Sequence, residues 1–166
     1  SPMYALVRTD HGVPVFGQSV SEEYEIFPNC AFLDNIKEQL LTLNSELKIE
    51  SCGSLWGGRV AFLNIMMEKF AVKGDCSETV SRLMFWNAFG GRSISACGHN
   101  TRVVCNNTSM MAEAQGAVNK SLKKFKHTSG APKRVTNHFL DIAEMHGLIA
   151  ARKEALDFMA GVQMNT

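Results

Sequence analysis

No run of apolar residues in this chain approaches the ~20 that a helical membrane span requires, so no membrane-crossing helix is expected. The first residues carry no charged stretch leading into an apolar one, so no secretory leader is expected at this start. Cysteine is sparse and odd in number, five in 166 residues with no CxxC pair, which does not read as a disulfide framework. Charge of one sign is missing too: 17 Lys and Arg against 16 Asp and Glu leave +1, so bulk charge names no partner. The phosphate-cradling patterns GxGxxG and GxxxxGK[ST], the GxSxG elbow, HExxH and a calcium loop are all absent. What remains is the composition of a folded domain, 45% hydrophobic and 20% charged. It reads as one soluble, intracellular α+β domain over 1–166. Met3 stands behind Ser1 and Pro2, which leaves two readings: an added dipeptide, or a piece cut from a longer chain.

Tyr4 to Gly17 reads as a β-hairpin turning at Asp10-His11-Gly12, with Pro14 marking an edge or a bulge in its second arm. From Cys30 to Leu43, Phe32, Leu33, Ile36, Leu40, Leu41 and Leu43 recur at three- and four-residue steps, an amphipathic helix. Leu47 to Ser54 alternates as a strand, with Leu47, Ile49 and Ser51 opposite Lys48, Glu50 and Cys52. Trp56-Gly57-Gly58 is a turn. Arg59 to Val72 is apolar on both faces, as a strand covered on both sides must be. Thr79 to Phe89 and Arg92 to Cys105 form a second hairpin about Gly90-Gly91. A buried helix over 79–89 has the same period, but β-branched and aromatic content favours strand.

Asn106 to Ser109 offers N-cap chemistry for a short helix, Met110 to Val118. A basic connector, Lys120 to His127, leads to a long final helix from Lys133 to Ala160. Its stripe is Val135, Phe139, Ile142, Ile149, Leu156 and Met159. The order ββα-ββ(ββ)-α-α gives the fold class: α+β, an antiparallel sheet of hairpin plus meander packed against helices.

Charge is unevenly placed. Residues 1–50 hold three basic and eight acidic side chains, whereas 117–153 hold eight basic and two acidic. Such asymmetry suits a nucleic-acid surface, a head-to-tail contact between copies, or a merely solvated stretch. The candidate phosphate contacts are Arg59, Arg92, Arg102, Lys123, Lys124 and Lys126. Trp56 and Trp86 are candidate base stackers, with core packing as the competing role. A strand-end salt bridge competes for Arg102. Cysteines beside apolar runs (all but Cys76) are expected reduced and mostly buried. Cys97, His99 and Cys105 share strand parity, yet span too far for one zinc. No acid, base and oxyanion set can be assembled, so the chain reads as a binding protein without cofactor or metal rather than an enzyme.

Three segments, Arg8-Thr-Asp-His-Gly-Val-Pro14, Gly53-Ser-Leu-Trp-Gly-Gly-Arg59 and Thr101-Arg-Val-Val-Cys-Asn-Asn-Thr108, resemble a phage/plasmid-like protein family of unknown function. The resemblance covers roughly 4–130 and departs at Trp56 and Ala88-Phe-Gly-Gly91. It implies a mobile-element source and the cytoplasm of an infected or plasmid-bearing bacterial host, and names no reaction. The order of elements is also similar to the ring-forming single-strand annealing proteins, a likeness of architecture alone. Together these give the leading expectation: an oligomeric protein that binds single-stranded DNA in recombination. The alternative is a virion or host-takeover module that binds protein, for which Met66-Met67 and Met110-Met111 would supply adaptable contacts, unless they are core filler.

Overall fold

The computed structural model describes residues 2–15, 19–43, 48–71, 78–100, 105–118, 120–138, 154–159 and 161–162. Its centre is an antiparallel meander of five strands: β3 (Lys48–Leu55), β4 (Val60–Ala71), β5 (Glu78–Ala88), β6 (Ile94–His99) and β7 (Lys123–Phe125). Sequence neighbours are sheet neighbours throughout; the connection from β6 to β7 carries the helix over Asn106–Val118. A small second sheet pairs β1 (Met3–Tyr4) with β2 (Val20–Ser21), and the hairpin between them closes through a Val7↔Pro14 bridge.

Side-chain alternation along β4 and β5 sorts two cores onto opposite faces. Leu63, Ile65, Leu83 and Phe85 face α1 (Asn29–Leu43) and α3 (Ala131–His138), meeting Phe32, Ile36, Leu40 and Val135. Val60, Phe62, Met84, Trp86 and Cys97 face α2 (Asn106–Val118) and meet Ala112. Helices on both faces account for strands without a polar face. The sequence-derived helix over 30–43 and the strands over 59–72 and 79–89 are all present. In β3 the expected alternation breaks at a bulge between Ile49 and Ser51, and Ile49 stays half exposed on this edge strand.

One expectation is corrected, and another falls largely outside the described residues. Of the helix expected over 133–160, the part up to His138 belongs to α3 and 154–159 is helical, while 139–153 lies outside the described residues. In that second piece Phe158 and Met159 are 74% and 61% exposed. Of the four described cysteines only Cys97 is buried; Cys30, Cys52 and Cys105 are exposed. They lie at a helix start, on the edge strand and just before α2, where neither layer reaches. Cys76 lies outside the described residues.

α2 sits close on β6 because Gly116 has no side chain: a Cβ there would overlap the Cys97 Cβ and come 2.9 Å from its Sγ. Gly116→Ala is therefore expected to cost about 1–3 kcal/mol in urea unfolding, despite the better helix propensity of alanine. Cys97→Ala should not rescue it, because the Cβ remains.

His127 joins the layers. Its Nε2 donates to Ala88 O at 2.8 Å, its Nδ1 lies 3.3 Å from Glu25 O, and its ring stacks on Tyr24 at 4.7 Å. Burial holds the imidazole below its ordinary value of 6.5, outweighing the two carbonyls that favour the cation. Below pH about 6.5 the unfolded chain gains a proton that the folded chain refuses, so His127 destabilises the fold progressively as pH falls. Denaturant titrations at falling pH should show that decline, and His127→Gln should flatten it.

Candidate functional site

Three hairpin tips meet at one end of the sheet. Between β3 and β4, Trp56, Gly57 and Gly58 take φ of 50°, 65° and 91°, a left-handed path. Glycine adopts this path readily; an L-residue with a Cβ pays about 1–2 kcal/mol. The second tip, Phe89 to Ser93, turns on Gly90 and Gly91, both at positive φ. Arg59 ties the two together: its Nε donates to Phe89 O at 3.2 Å and its Nη2 to Gly90 O at 3.0 Å, while Phe89 N donates to Arg59 O at 2.9 Å. From the third tip, Arg8 donates through Nη1 to Gly57 O at 3.2 Å and grips Asp10. That bond holds the Arg8 guanidinium above and the Asp10 carboxyl below their usual values.

The tips enclose a groove of about 530 Å³ lined by Trp56, Gly57, Arg59 and Arg92. Trp56 is 37% exposed, and the Arg92 guanidinium lies 4.9 Å from its ring centre, a cation–π pair. A smaller groove of about 260 Å³ adjoins it through Arg92 and is lined by Trp86, Gly91, Ser93, Ser95, Glu113 and Lys124. The one acidic group in either lining, Glu113, is 3.3 Å from Lys124 Nζ.

The structure thus brings together Trp56, Arg59, Arg92, Trp86 and Lys124. Trp86 is 6% exposed, a core residue whose edge borders the smaller groove. Strand alternation separates the lysines: Lys124 pairs with Ser95 on the α2 face, Lys123 with Ala96 on the other, and Lys126 lies exposed beyond β7. They are not one track. Arg102 lies outside the described residues.

Sequence reasoning missed a buried polar chain on the α2 face. Arg82 donates to Glu50 through Nε at 2.6 Å and Nη2 at 2.8 Å, and through Nη1 to Asn100 O at 2.7 Å. Asn64 Nδ2 donates to Glu50 Oε2 at 3.1 Å, and His99 Nε2 meets Asn64 Oδ1 at 2.9 Å. The signal was available: Arg82 and Asn64 are polar residues inside apolar runs. The chain links β3, β4, β5 and β6, and Arg82 spends its donors on protein acceptors, so its work is to hold strand register.

Cys97 and His99 do not form a nucleophile–base pair. Burial, with Glu113 nearby, pushes the Cys97 thiol up to about 12, and His99 is engaged by Asn64. Cys105 is exposed, its thiol lowered by hydrogen bonding to Thr108 and to the first amides of α2. Among the described residues no three His, Cys, Asp or Glu side chains lie close enough to hold a metal ion. Nor is any helix among them long and apolar enough to cross a membrane.

The chain belongs to the family described as Domain of unknown function (DUF932), which it matches over residues 17–166. No curated protein and no solved structure matches it. The matched region includes both sheet tips, 56–59 and 89–93, and leaves out the Arg8–Asp10 tip.

Arg82→Met is expected to cost about 3–5 kcal/mol in urea unfolding, because it strands the largely buried Glu50 carboxylate. Adding Glu50→Met should recover most of that loss, since the stranded charge is its cause.

Proposed function

We propose that this protein binds single-stranded nucleic acid along the two adjoining grooves, with Arg59, Arg92 and Lys124 on the backbone and Trp56 beneath a base. The observation that carries the reading is the shared Arg92: it makes one basic, aromatic path out of two hairpin tips and the end of β7. Single-strand binding needs a positive groove and a stacking ring, with neither metal nor nucleotide cofactor. The family resemblance noted in the sequence supports a phage or plasmid setting for this activity, in the bacterial cytoplasm. There, copies of the chain anneal strands as an oligomer, the acidic first third of one copy against the basic last third of the next.

One observation favours a second reading. Met110 and Met111 are 60% and 56% exposed on α2, and Val118 is 84% exposed. They are not core filler, whereas Met66 and Met67 are partly buried. An adaptable apolar helix face suits a module that binds protein in a virion or during host takeover.

Fluorescence anisotropy with a labelled oligothymidylate separates the two. Binding should weaken linearly with log salt, by about 0.7 per phosphate neutralised. Arg92→Ala with Lys124→Ala should flatten that slope by about 1.4, with little change in stability. Arg59 is a poor test residue because its loss also releases the two tips. An absence of binding at low salt, at protein concentrations high enough for self-association, would overturn this proposal and leave the protein-binding reading.

A further inference from the structure

Trp56 occupies a position whose backbone suits glycine, at φ 50°, yet its ring is not repaid by burial: it stands outside both cores and is 37% exposed. Side chains held in such a conformation persist where the surroundings impose it, and these sites are often functional. Over the ring lies the Arg92 guanidinium. Among the described residues Arg92 has no hydrogen bond and no carboxylate partner. It sits on the Gly90-Gly91 tip, whose glycines allow it other positions. Arg59, by contrast, lines the groove fixed by the Phe89 and Gly90 carbonyls, which take its Nε and Nη2.

These three side chains have different freedoms, and the difference has a use. We propose that Trp56, Arg59 and Arg92 form a site for one nucleotide unit, in which a base replaces the Arg92 guanidinium on the Trp56 ring. The displaced Arg92 then joins the fixed Arg59 on the adjacent phosphate. Before binding, Arg92 is a placeholder that covers the exposed ring. On binding, the ring exchanges a cation for a π-face, and the guanidinium gains an anion. The proposal rests on the nucleic-acid reading and adds to it the seat of a single base. The unit belongs to a strand rather than to a free nucleotide, because the groove is open and continues past Arg92 toward Lys124.

The test is quenching of tryptophan fluorescence in the full chain by oligothymidylate, thymidine monophosphate and inorganic phosphate. Trp86, whose edge borders the smaller groove, contributes a background that Trp56→Gly measures alone. Oligothymidylate should quench strongly, the monophosphate only at far higher concentration, and phosphate not at all. Trp56→Gly should remove the quenching and weaken strand binding roughly ten- to a hundredfold, with the salt slope unchanged. Its thermal midpoint should hold, because glycine suits the turn; Trp56→Asn, which also tolerates left-handed backbone, is the second variant should glycine loosen the tip. Trp56→Phe should keep most of the affinity. Arg92→Ala should do the reverse of Trp56→Gly, flattening the slope by about 0.7 while stacking survives. Salt-dependent strand binding that is equally tight in Trp56→Gly and Trp56→Asn would overturn this site and leave the wider reading standing. Saturation by the monophosphate at the same concentration as the strand would overturn it in favour of a free-nucleotide site. No binding of any strand would overturn both.

Discussion

Everything in this molecule is hung on the pairing of β4 with β5. The ladder runs from Val60↔Ala88 to Ala71↔Glu78, with one bulge between Met66 and Glu68. Because the side-chain period is two, that register assigns every residue of both strands to the α1/α3 core or to the α2 core. A slip of β4 by one residue would turn Leu63 and Ile65 toward α2 and take them from the surface on which α1 packs. Both faces are apolar, so the hydrophobic pattern alone selects the register only weakly.

The polar residues inside these strands remove that ambiguity. Arg82, Asn64 and His99 lie on one face, and the hydrogen bonds that link them to Glu50 and to one another form in one alignment of four strands. Asn87 does similar work on the other face, donating to Phe27 O at 2.6 Å and Asn29 Oδ1 at 2.9 Å, which locates the segment entering α1. Buried polar groups contribute little net stability when paired and cost much when unpaired. Here they act as specificity devices in a sheet whose apolar faces would accept more than one alignment.

The same register delivers the candidate site. Val60↔Ala88 brings the β3–β4 and β5–β6 tips to one end of the sheet, where Arg59 can reach the Phe89 and Gly90 carbonyls. Once those carbonyls are capped, Arg92 is left facing outward beside Trp56. The members of the groove are therefore set in place by the sheet, and the left-handed backbone at Trp56 is held by the hairpin on either side of it.

Much of this was legible in the residue order. Periods of two and 3.6 are local properties, so α1, β4, β5 and the turns at Gly57-Gly58 and Gly90-Gly91 could be read without partners. The α+β class followed from their order. What could not be read was contact between distant segments. Arg8 lies 49 residues from Gly57, and Arg59 30 residues from Phe89, and neither spacing carries a local pattern. The cysteines were misjudged because burial depends on how far a covering layer extends. The two tryptophans make the distinction plainest. Each sits among glycine or apolar neighbours in the sequence, and by itself the sequence determined that both were large, aromatic and near turns. Tertiary structure decided that Trp86 lies beneath α2 and Trp56 lies open beside two guanidinium groups. Exposure is a property of what other parts of the chain place overhead.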